Sequence, residues 1–494
     1  MPVRTRGLTC SRPQPDWLDI RVRTGASWHD RCVTSGQPPL SPVYPFNESS
    51  KPIQLYRGGI GGLAAADVDG GVELRLVPEV SIEWAVDDPF AAPQFSNYRG
   101  EIPLRLRRVG GDAELRGHVR GIEGGWSNGA AFGSDSVPLD RVIAHWFNLP
   151  DWRGPGYLKE TAQDGEHRHW LGRWVMEAEG WKITLDMRPD HSVVWTDLHK
   201  SDVLVMTHVM EIRRSDGTAF TAQDAEPVLA AMHAGISFAL GRWVAPLLPV
   251  GLDNGDAVVW EEWKPSFCDP GRDPGVGWWY ERDHAALSDF LKLLIAAFLD
   301  PIRRERLWMQ MVLAISAAST PGFIEARIMM GFSGIEHLMW QNLVLTGLRT
   351  ESDYKREEAA SLLRDVLKPA SIPAGIDGNL QPVMTSLAAA KKADGLNLDG
   401  AGAVAWTRNQ LVHPKAGKQQ VYKYPGLLVE AWLLLRHYLV LLILHSLNYQ
   451  GPYRDLRALQ GTASTTVPVP WAAPKIQAPV APVNASRARV TRQT

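Results

Sequence analysis

Cysteine is scarce in this chain of 494 residues, and its few copies are scattered. The three cysteines, Cys10, Cys32 and Cys268, stand far apart and form no Cys-x-x-Cys pair. This distribution argues against a disulfide framework and against a cysteine-ligated zinc site. The N-terminal residues also lack the apolar stretch of a secretory signal. We therefore expect a protein of a reducing compartment, the cytoplasm.

The chain also lacks a clear excess of positive or of negative charge. There are 52 Lys and Arg residues against 54 Asp and Glu, which gives a net charge of -2. A chain with this balance has no global field that attracts nucleic acid, so a polyanion site must come from a local cluster. The glycine-rich RGGIGG at 57–62 lacks the Gly-Lys-Ser/Thr of a phosphate-binding loop. The apolar run at 431–447 is interrupted by Arg436 and His437, which favours a buried helix over a membrane span.

The length predicts two or three domains, because a single core rarely serves so long a chain. Residues 1–50 are rich in Pro, Ser, Arg and Gly and are predicted to be extended or partly disordered. Residues 51–215 alternate apolar and polar side chains between glycine-rich turns, as in VELRLVPEVSIEW at 72–84. This pattern predicts an antiparallel β-rich domain, a sandwich or a barrel, in which SVVWTDL at 192–198 is another strand.

The second half of the chain is predicted to be almost entirely helical. Residues 216–284 are interpreted as a helical and Trp-rich connector. Residues 285–458 carry apolar positions at helical spacing and predict a helical bundle with the last, most apolar helix at its centre. Residues 459–494 are rich in Pro, Ala and Val and are predicted to be a disordered tail. The predicted fold class is thus α+β multidomain, with a β-rich N-terminal domain and an all-α C-terminal bundle.

The segment WTRNQLVHPKAGK at 406–418 contains the residues best suited to chemistry. Five helical residues turn about 140° beyond a full turn, so Arg408 and His413 do not share a face of a straight helix. His413 precedes a proline, however, and is therefore expected at the helix end. An arginine can bind two phosphate oxygens and a histidine can move a proton near neutral pH, while Asn409 can position either group.

These residue types predict RNA cleavage by the neighbouring 2′-hydroxyl. His413 would act as general acid or base, and Arg408 would stabilise the charge that builds up on phosphorus. Such a reaction requires neither a metal nor another cofactor. Lys415, Lys418 and Lys423 follow closely and are predicted to bind RNA through its phosphates.

Residues 286–458 resemble a HEPN domain (higher eukaryotes and prokaryotes nucleotide-binding) of the kind found at the C-terminus of ApeA-like abortive-infection proteins. The matching text is FIEARIMMGFSGIEHLMW, then TRNQLVHP, then EAWLLLRHYLVLLILHSLNYQGPYRD. The resemblance implies a metal-independent endoribonuclease that forms a homodimer and acts as an antiviral defence or toxin effector on RNA, including transfer RNA. It assigns the catalytic motif to Arg408, Asn409 and His413. Glu325 and Glu336, on the long helix, are candidates either for supporting residues or for solvated or capping carboxylates. The β-rich domain would then sense a trigger.

The alternative is a non-catalytic ligand-binding module. Tryptophans are numerous in the β-rich half and could recognise a glycan or a protein, with the HEPN-like region serving only for dimerisation. Most of them are nevertheless expected to fill the core. The segment HWFNLPDWRGPG at 145–156 is the candidate recognition edge.

Overall fold

The first six strands close into an antiparallel barrel in the order β1-β2-β3-β6-β5-β4. The structure is a computed structural model that describes residues 36–63, 67–91, 100–108, 111–161, 165, 167–271, 277–318, 322–394, 399–413, 421–457 and 466–472. The barrel strands are β1 (Ile53–Gly61), β2 (Val68–Arg75), β3 (Ser81–Val86), β4 (Glu101–Arg108), β5 (Gly111–Gly121) and β6 (Gly124–Ser127). Their alternation of inward apolar and outward polar residues is the pattern that predicts a β-rich N-terminal region, which is confirmed.

An antiparallel sheet of eight strands follows, in the order β7-β14-β13-β8-β12-β11-β10-β9. Its strands are β7 (Ala130–Gly133), β8 (Arg141–Phe147), β9 (Gly156–Thr161), β10 (His167–Ala178), β11 (Trp181–Met187), β12 (Met206–Arg214), β13 (Ala245–Leu252) and β14 (Val258–Trp263). A short pair, β15 (Pro452–Arg454) and β16 (Thr466–Pro468), lies near the end of the chain.

The helices are concentrated after residue 284, and the helical character predicted for the C-terminal half is confirmed. Two helices lie within the β-rich part, α1 (His191–Lys200) and α2 (Ala222–Leu240). The C-terminal helices are α3 (His284–Phe298), α4 (Pro301–Ala318), α5 (Ile324–Met339), α6 (Glu351–Arg356), α7 (Ala359–Leu367), α8 (Gln381–Asp394), α9 (Gly400–Val412) and α10 (Leu427–Ser446).

The eight-stranded sheet is covered on both faces. Along β8, Val142, Ala144 and Trp146 belong to the core shared with the helices. The alternate residues Ile143 and Phe147 belong to the core shared with the barrel. Successive strand residues point to opposite faces, so a strand between two cores reads as a continuous apolar run. The sheet therefore joins the barrel to the helical region.

Residues 36–50 form an ordered strap across the sheet, although the sequence predicts an extended or partly disordered N-terminus. The Leu40 N–H donates to Oδ2 of Asp186 at 2.8 Å, and the Val43 N–H donates to Nε2 of His145 at 3.1 Å. Both acceptors belong to buried side chains of the sheet. These long-range bonds order a segment whose composition alone has no clear periodicity. The rest of the predicted N-terminal segment, residues 1–35, lies outside the described residues.

Two segments differ from the sequence prediction in their secondary structure. The predicted strand at 192–198 is wrong, because these residues belong to α1. Val194, Trp195 and Leu198 are the buried residues of that helix, at helical spacing. Residues 216–284 are more than a connector, because β13 and β14 are strands of the large sheet. The apolar run of β13 is buried on both faces, and periodicity cannot separate such a strand from a buried helix.

The last helix has the buried position that the sequence predicts. Among the described residues, α10 alone is long and apolar enough to cross a membrane, and 89% of its apolar window is buried inside the protein. The chain then returns to the C-terminal end of this helix, where the Trp471 ring lies 5.0 Å from that of His445 and its indole N–H donates to the Tyr449 carbonyl at 2.6 Å. Residues 466–472 of the predicted tail are therefore ordered against the helical region, and residues 459–465 and 473–494 lie outside the described part.

Candidate functional site

The helix that carries the Arg–Asn–His motif, α9, is fixed at its N-terminus by a charged cap. Asp399 is the N-cap residue, and its Oδ1 accepts from the Gly402 N–H at 2.8 Å. The same carboxylate receives two bonds from the Arg364 guanidinium of α7, at 2.5 and 2.9 Å. A carboxylate at a helix N-terminus satisfies free N–H groups and interacts favourably with the helix dipole. These contacts fix the direction of α9.

Small residues then let α9 approach the central helix closely. Gly400 to Ala405 are all buried. A Cβ added at Gly400 would stand 2.0 Å from the hydroxyl oxygen of Tyr438 on α10. Such a distance is far inside van der Waals contact, so this position requires glycine. The first half of α9 is thus a packing surface, and its second half presents the polar motif.

Arg408 is held against α5 with its side chain partly exposed. The guanidinium carbon lies 5.3 Å from the ring centroid of Phe332, and Nη2 lies 3.4 Å from Oε1 of Glu336. Nη1 donates to Oδ1 of Asn409 at 3.1 Å. The Arg408 side chain remains 24% exposed and that of Glu336 is 40% exposed. The arginine is therefore oriented by a ring, a carboxylate and an amide, while its side chain stays partly exposed.

His413 ends the helix, as its position before proline predicts. It is the C-cap residue, with φ of -120° and ψ of 69°, and its backbone N–H donates to the Asn409 carbonyl at 2.9 Å. The residue is exposed. Within the part of the chain that the structure describes, no hydrogen bond or ring contact joins its imidazole to Arg408. The two side chains thus occupy the same end of one helix without forming a contact in one protomer.

A tyrosine that the sequence analysis did not single out lies beside this end of the bundle. The 3₁₀ turn Val421–Lys423 packs against both α9 and α10. The Tyr422 hydroxyl donates to Oε1 of Glu325 at 3.0 Å. Partial desolvation raises the pKa of Tyr422, and the hydrogen bond to the negatively charged Glu325 raises it further. In the sequence, only the position of Tyr422 directly before Lys423 of the predicted basic patch could have indicated this residue.

The predicted basic patch is described only in part. Lys423 is exposed on the 3₁₀ turn, whereas Lys415 and Lys418 lie outside the described residues. Glu325 and Glu336, the two predicted supporting carboxylates, lie on α5 and contact Tyr422 and Arg408 respectively. The described surface near the motif therefore combines cationic groups with two carboxylates.

Most tryptophans of the β-rich half are core residues, as expected. Buried members are Trp146, Trp152, Trp170, Trp174, Trp181 and Trp195, whereas Trp126 is 37% exposed and stacks on His118. The interpretation of 145–156 as a recognition edge is wrong for its aromatic residues, since Trp146, Phe147 and Trp152 are each at most 2% exposed. Trp146 and Trp152 belong to the core between the sheet and the helices, and Phe147 belongs to the core between the sheet and the barrel.

Comparison with known proteins identifies two matching family models. The YopA central domain matches residues 134–274, and the YopA C-terminal domain matches residues 305–465. The SPbeta prophage-derived uncharacterized protein YopA of Bacillus subtilis (strain 168) is 25% identical over 307 residues, which cover 61% of this chain and 66% of that protein. The match thus spans just under two thirds of the relative's length. No solved structure matches the chain. The large sheet and the helical region are therefore similar to the two YopA domains, and the barrel strands β1–β6 precede both matched ranges.

Proposed function

We propose that the helical C-terminal region is a HEPN-type endoribonuclease with Arg408, Asn409 and His413 as its catalytic residues. The observation that supports this proposal most is the state of Arg408. Its guanidinium is anchored on Phe332 and Glu336 while the side chain remains partly exposed, at the end of the helix where His413 is exposed. An anchored, partly accessible arginine is pre-organised to bind a phosphate, because little side-chain freedom is lost on binding.

The reaction would proceed by attack of an RNA 2′-oxygen on the adjacent phosphorus. His413 accepts the 2′-hydroxyl proton, the bond from phosphorus to the 5′-oxygen breaks, and a second acid gives that oxygen a proton. The products end in a 2′,3′-cyclic phosphate and a 5′-hydroxyl. Arg408 binds the non-bridging oxygens, where charge grows in the transition state. This scheme draws its acid, base and charge stabilisation from side chains and needs no cofactor.

A homodimer supplies the second proton donor that one motif lacks. A single imidazole cannot accept one proton and donate another in the same step, and the partner's His413 can take the other role. Exposed apolar side chains near the Glu325–Tyr422 contact support a dimer surface at this end. Phe323 is 83% exposed and Tyr422 is 61% exposed. We place the protein in the cytoplasm as an antiviral or toxin effector whose N-terminal region responds to a trigger.

The proposal is tested with purified protein and total bacterial RNA. We expect cleavage by the wild type, and a loss of at least about a hundredfold for Arg408→Ala and for His413→Ala. The matched control is His169→Ala, which removes an exposed histidine from the edge region of the sheet. Cleavage that persists in both motif variants would refute the assignment. Lys423→Gln should weaken RNA binding and lessen its salt dependence, because it removes one phosphate contact.

The second candidate function is ligand binding without catalysis. One observation favours it: a large cleft lined by aromatic residues lies beside the sheet and shares no lining residue with the Arg–Asn–His motif. An RNA-inactive wild type that remains dimeric would point to this function, with the helical region as a dimerisation scaffold.

A further inference from the structure

A cleft of about 1310 Å³ opens between α2, the end of the sheet formed by β7, β14 and β13, and the start of α4. The β2–β3 loop of the barrel and β6 border its far side. It lies in a different part of the chain from the Arg–Asn–His motif and shares no lining residue with it. The cleft is a separate site whose chemistry can be determined from its walls.

One wall is a group of aromatic rings. His233 of α2 lies 5.5 Å from Trp243 and 6.0 Å from Trp308 of α4, measured between ring centroids. Phe267 lies 6.0 Å from Trp243 and is 76% exposed. Burial lowers the pKa of His233 to about 4, so its ring is uncharged at neutral pH. Exposed and half-buried aromatic faces of this kind attract organic cations.

A carboxylate also lines the cleft. Glu262 of β14 lines the cleft and is partly buried, and burial raises its pKa. Within the described residues its carboxylate forms no hydrogen bond and no ion pair within 4 Å. The charge of Lys264 offsets the burial of this carboxylate only in part, so an incoming cation would lower the remaining free-energy cost of its desolvation. Glu262 is therefore available to a ligand.

The remaining charges of the cleft are mostly negative. Its other acidic lining residues are Glu79, Asp135, Glu226, Asp269 and Glu305, against the two cations Lys264 and Arg304. Arg304 is already paired with Glu226 at 2.5 Å. A surface with this balance repels phosphate groups and attracts positive ones. The cleft therefore favours a cationic ligand over RNA.

We propose that this cleft binds a basic, extended peptide segment of a partner protein, with an arginine between the aromatic wall and the Glu262 carboxylate. The planar guanidinium stacks on Trp243 or Trp308 and gives two hydrogen bonds to the carboxylate, a geometry that lysine cannot reproduce. The volume favours a peptide, since small-molecule pockets span about 300–1,000 Å³. The site would couple recognition of a partner to the sheet that joins the barrel to the helices.

The test uses two fluorescent hexapeptides that differ at one side chain. One contains a central arginine and the other contains citrulline, which has the same shape without the charge. The full-length chain should bind the arginine peptide and not the citrulline peptide in a fluorescence anisotropy titration. Glu262→Gln should weaken binding of the arginine peptide about tenfold or more, because a hydrogen bond to a charged group is lost.

Two further variants separate a binding defect from a folding defect. Trp308→Leu should also weaken binding, whereas Glu177→Gln, on an exposed part of β10 outside the cleft, should bind as the wild type does. Unchanged thermal unfolding of Glu262→Gln would show that its fold is intact. Equal affinity for both peptides, or no binding of the arginine peptide at about 1 mM, would overturn the proposal. Binding of spermidine without the peptide would replace the peptide by a polyamine. None of these outcomes depends on RNA cleavage.

Discussion

The contact between Gly400 and Tyr438 predicts that Gly400→Ala destabilises the wild type but has little effect in a second background. In Gly400→Ala, the new Cβ would lie 2.0 Å from the Tyr438 hydroxyl oxygen and 3.1 Å from its ring carbon Cζ. Tyr438 is fully buried, so α9 and α10 must separate by about an ångström to relieve the overlap. Overpacking of this kind costs about 1–3 kcal/mol, which outweighs the gain of up to about 1 kcal/mol from replacing a helical glycine.

The second background removes the obstruction. The Tyr438 hydroxyl has no hydrogen-bond partner among the described residues and no access to solvent. Tyr438→Phe should therefore be neutral or should stabilise the protein by up to about 1 kcal/mol. With the oxygen gone, the nearest atoms to the new Cβ lie 3.1 Å away, which a small adjustment accommodates. Gly400→Ala should then cost less than about 0.5 kcal/mol in the phenylalanine background.

Hydrogen-exchange mass spectrometry measures this effect locally, since the opening free energy of peptides from α9 and α10 can be compared among the wild type, both single variants and the double variant. A coupling energy of about 1–2 kcal/mol is expected. An equal cost of Gly400→Ala in both backgrounds would refute the close packing that positions the motif helix.

Two other predictions concern His145 and Asp399. Burial lowers the pKa of His145 to about 4, and its Nε2 accepts N–H bonds from the N-terminal strap. Its contribution to stability is therefore complete above pH 6.5 and is lost as the pH falls toward 4, by about 3 kcal/mol. In His145→Gln, the unfolding free energy from urea titrations should change less steeply with pH between about 4 and 6.5, because one fewer proton is taken up on unfolding. An unchanged slope of unfolding free energy against pH would contradict this role of His145. Asp399→Ala should destabilise α9 by about 1–2 kcal/mol, whereas Asp399→Asn keeps the cap and loses only the ion pair to Arg364. Equal exchange rates in α9 for the two variants would count against the cap.

Local patterns predict part of this fold from the sequence. Alternation within the barrel strands indicates β structure, and Pro414 places His413 at the end of α9. The strand β13 could not be recognised, because a run buried on both faces has no amphipathic period. The strap at 36–50 also could not be predicted, since its order depends on bonds to Asp186 and His145, more than 100 residues away in sequence.

The candidate site likewise contains some features that the sequence predicts and others that depend on long-range contacts. The sequence indicates Arg408 and His413 through residue type and spacing, and it indicates Glu336 as a supporting carboxylate. The Phe332 ring contacts the Arg408 guanidinium, and Tyr422 contacts Glu325. Both are tertiary contacts between residues far apart in sequence, so no local pattern predicts them. The aromatic cleft brings together residues of α2, β14 and α4, each unremarkable in its own segment, and only the folded chain shows their common surface.

The chemistry of the cut ends tests the central claim most directly. Purified wild type and His413→Ala are incubated with total bacterial RNA in the presence of EDTA, and the new ends are mapped. The account predicts 2′,3′-cyclic phosphates and 5′-hydroxyls in the wild-type reaction and none with His413→Ala. Ends that appear equally with both proteins, or that carry a 3′-hydroxyl and a 5′-phosphate, would contradict it.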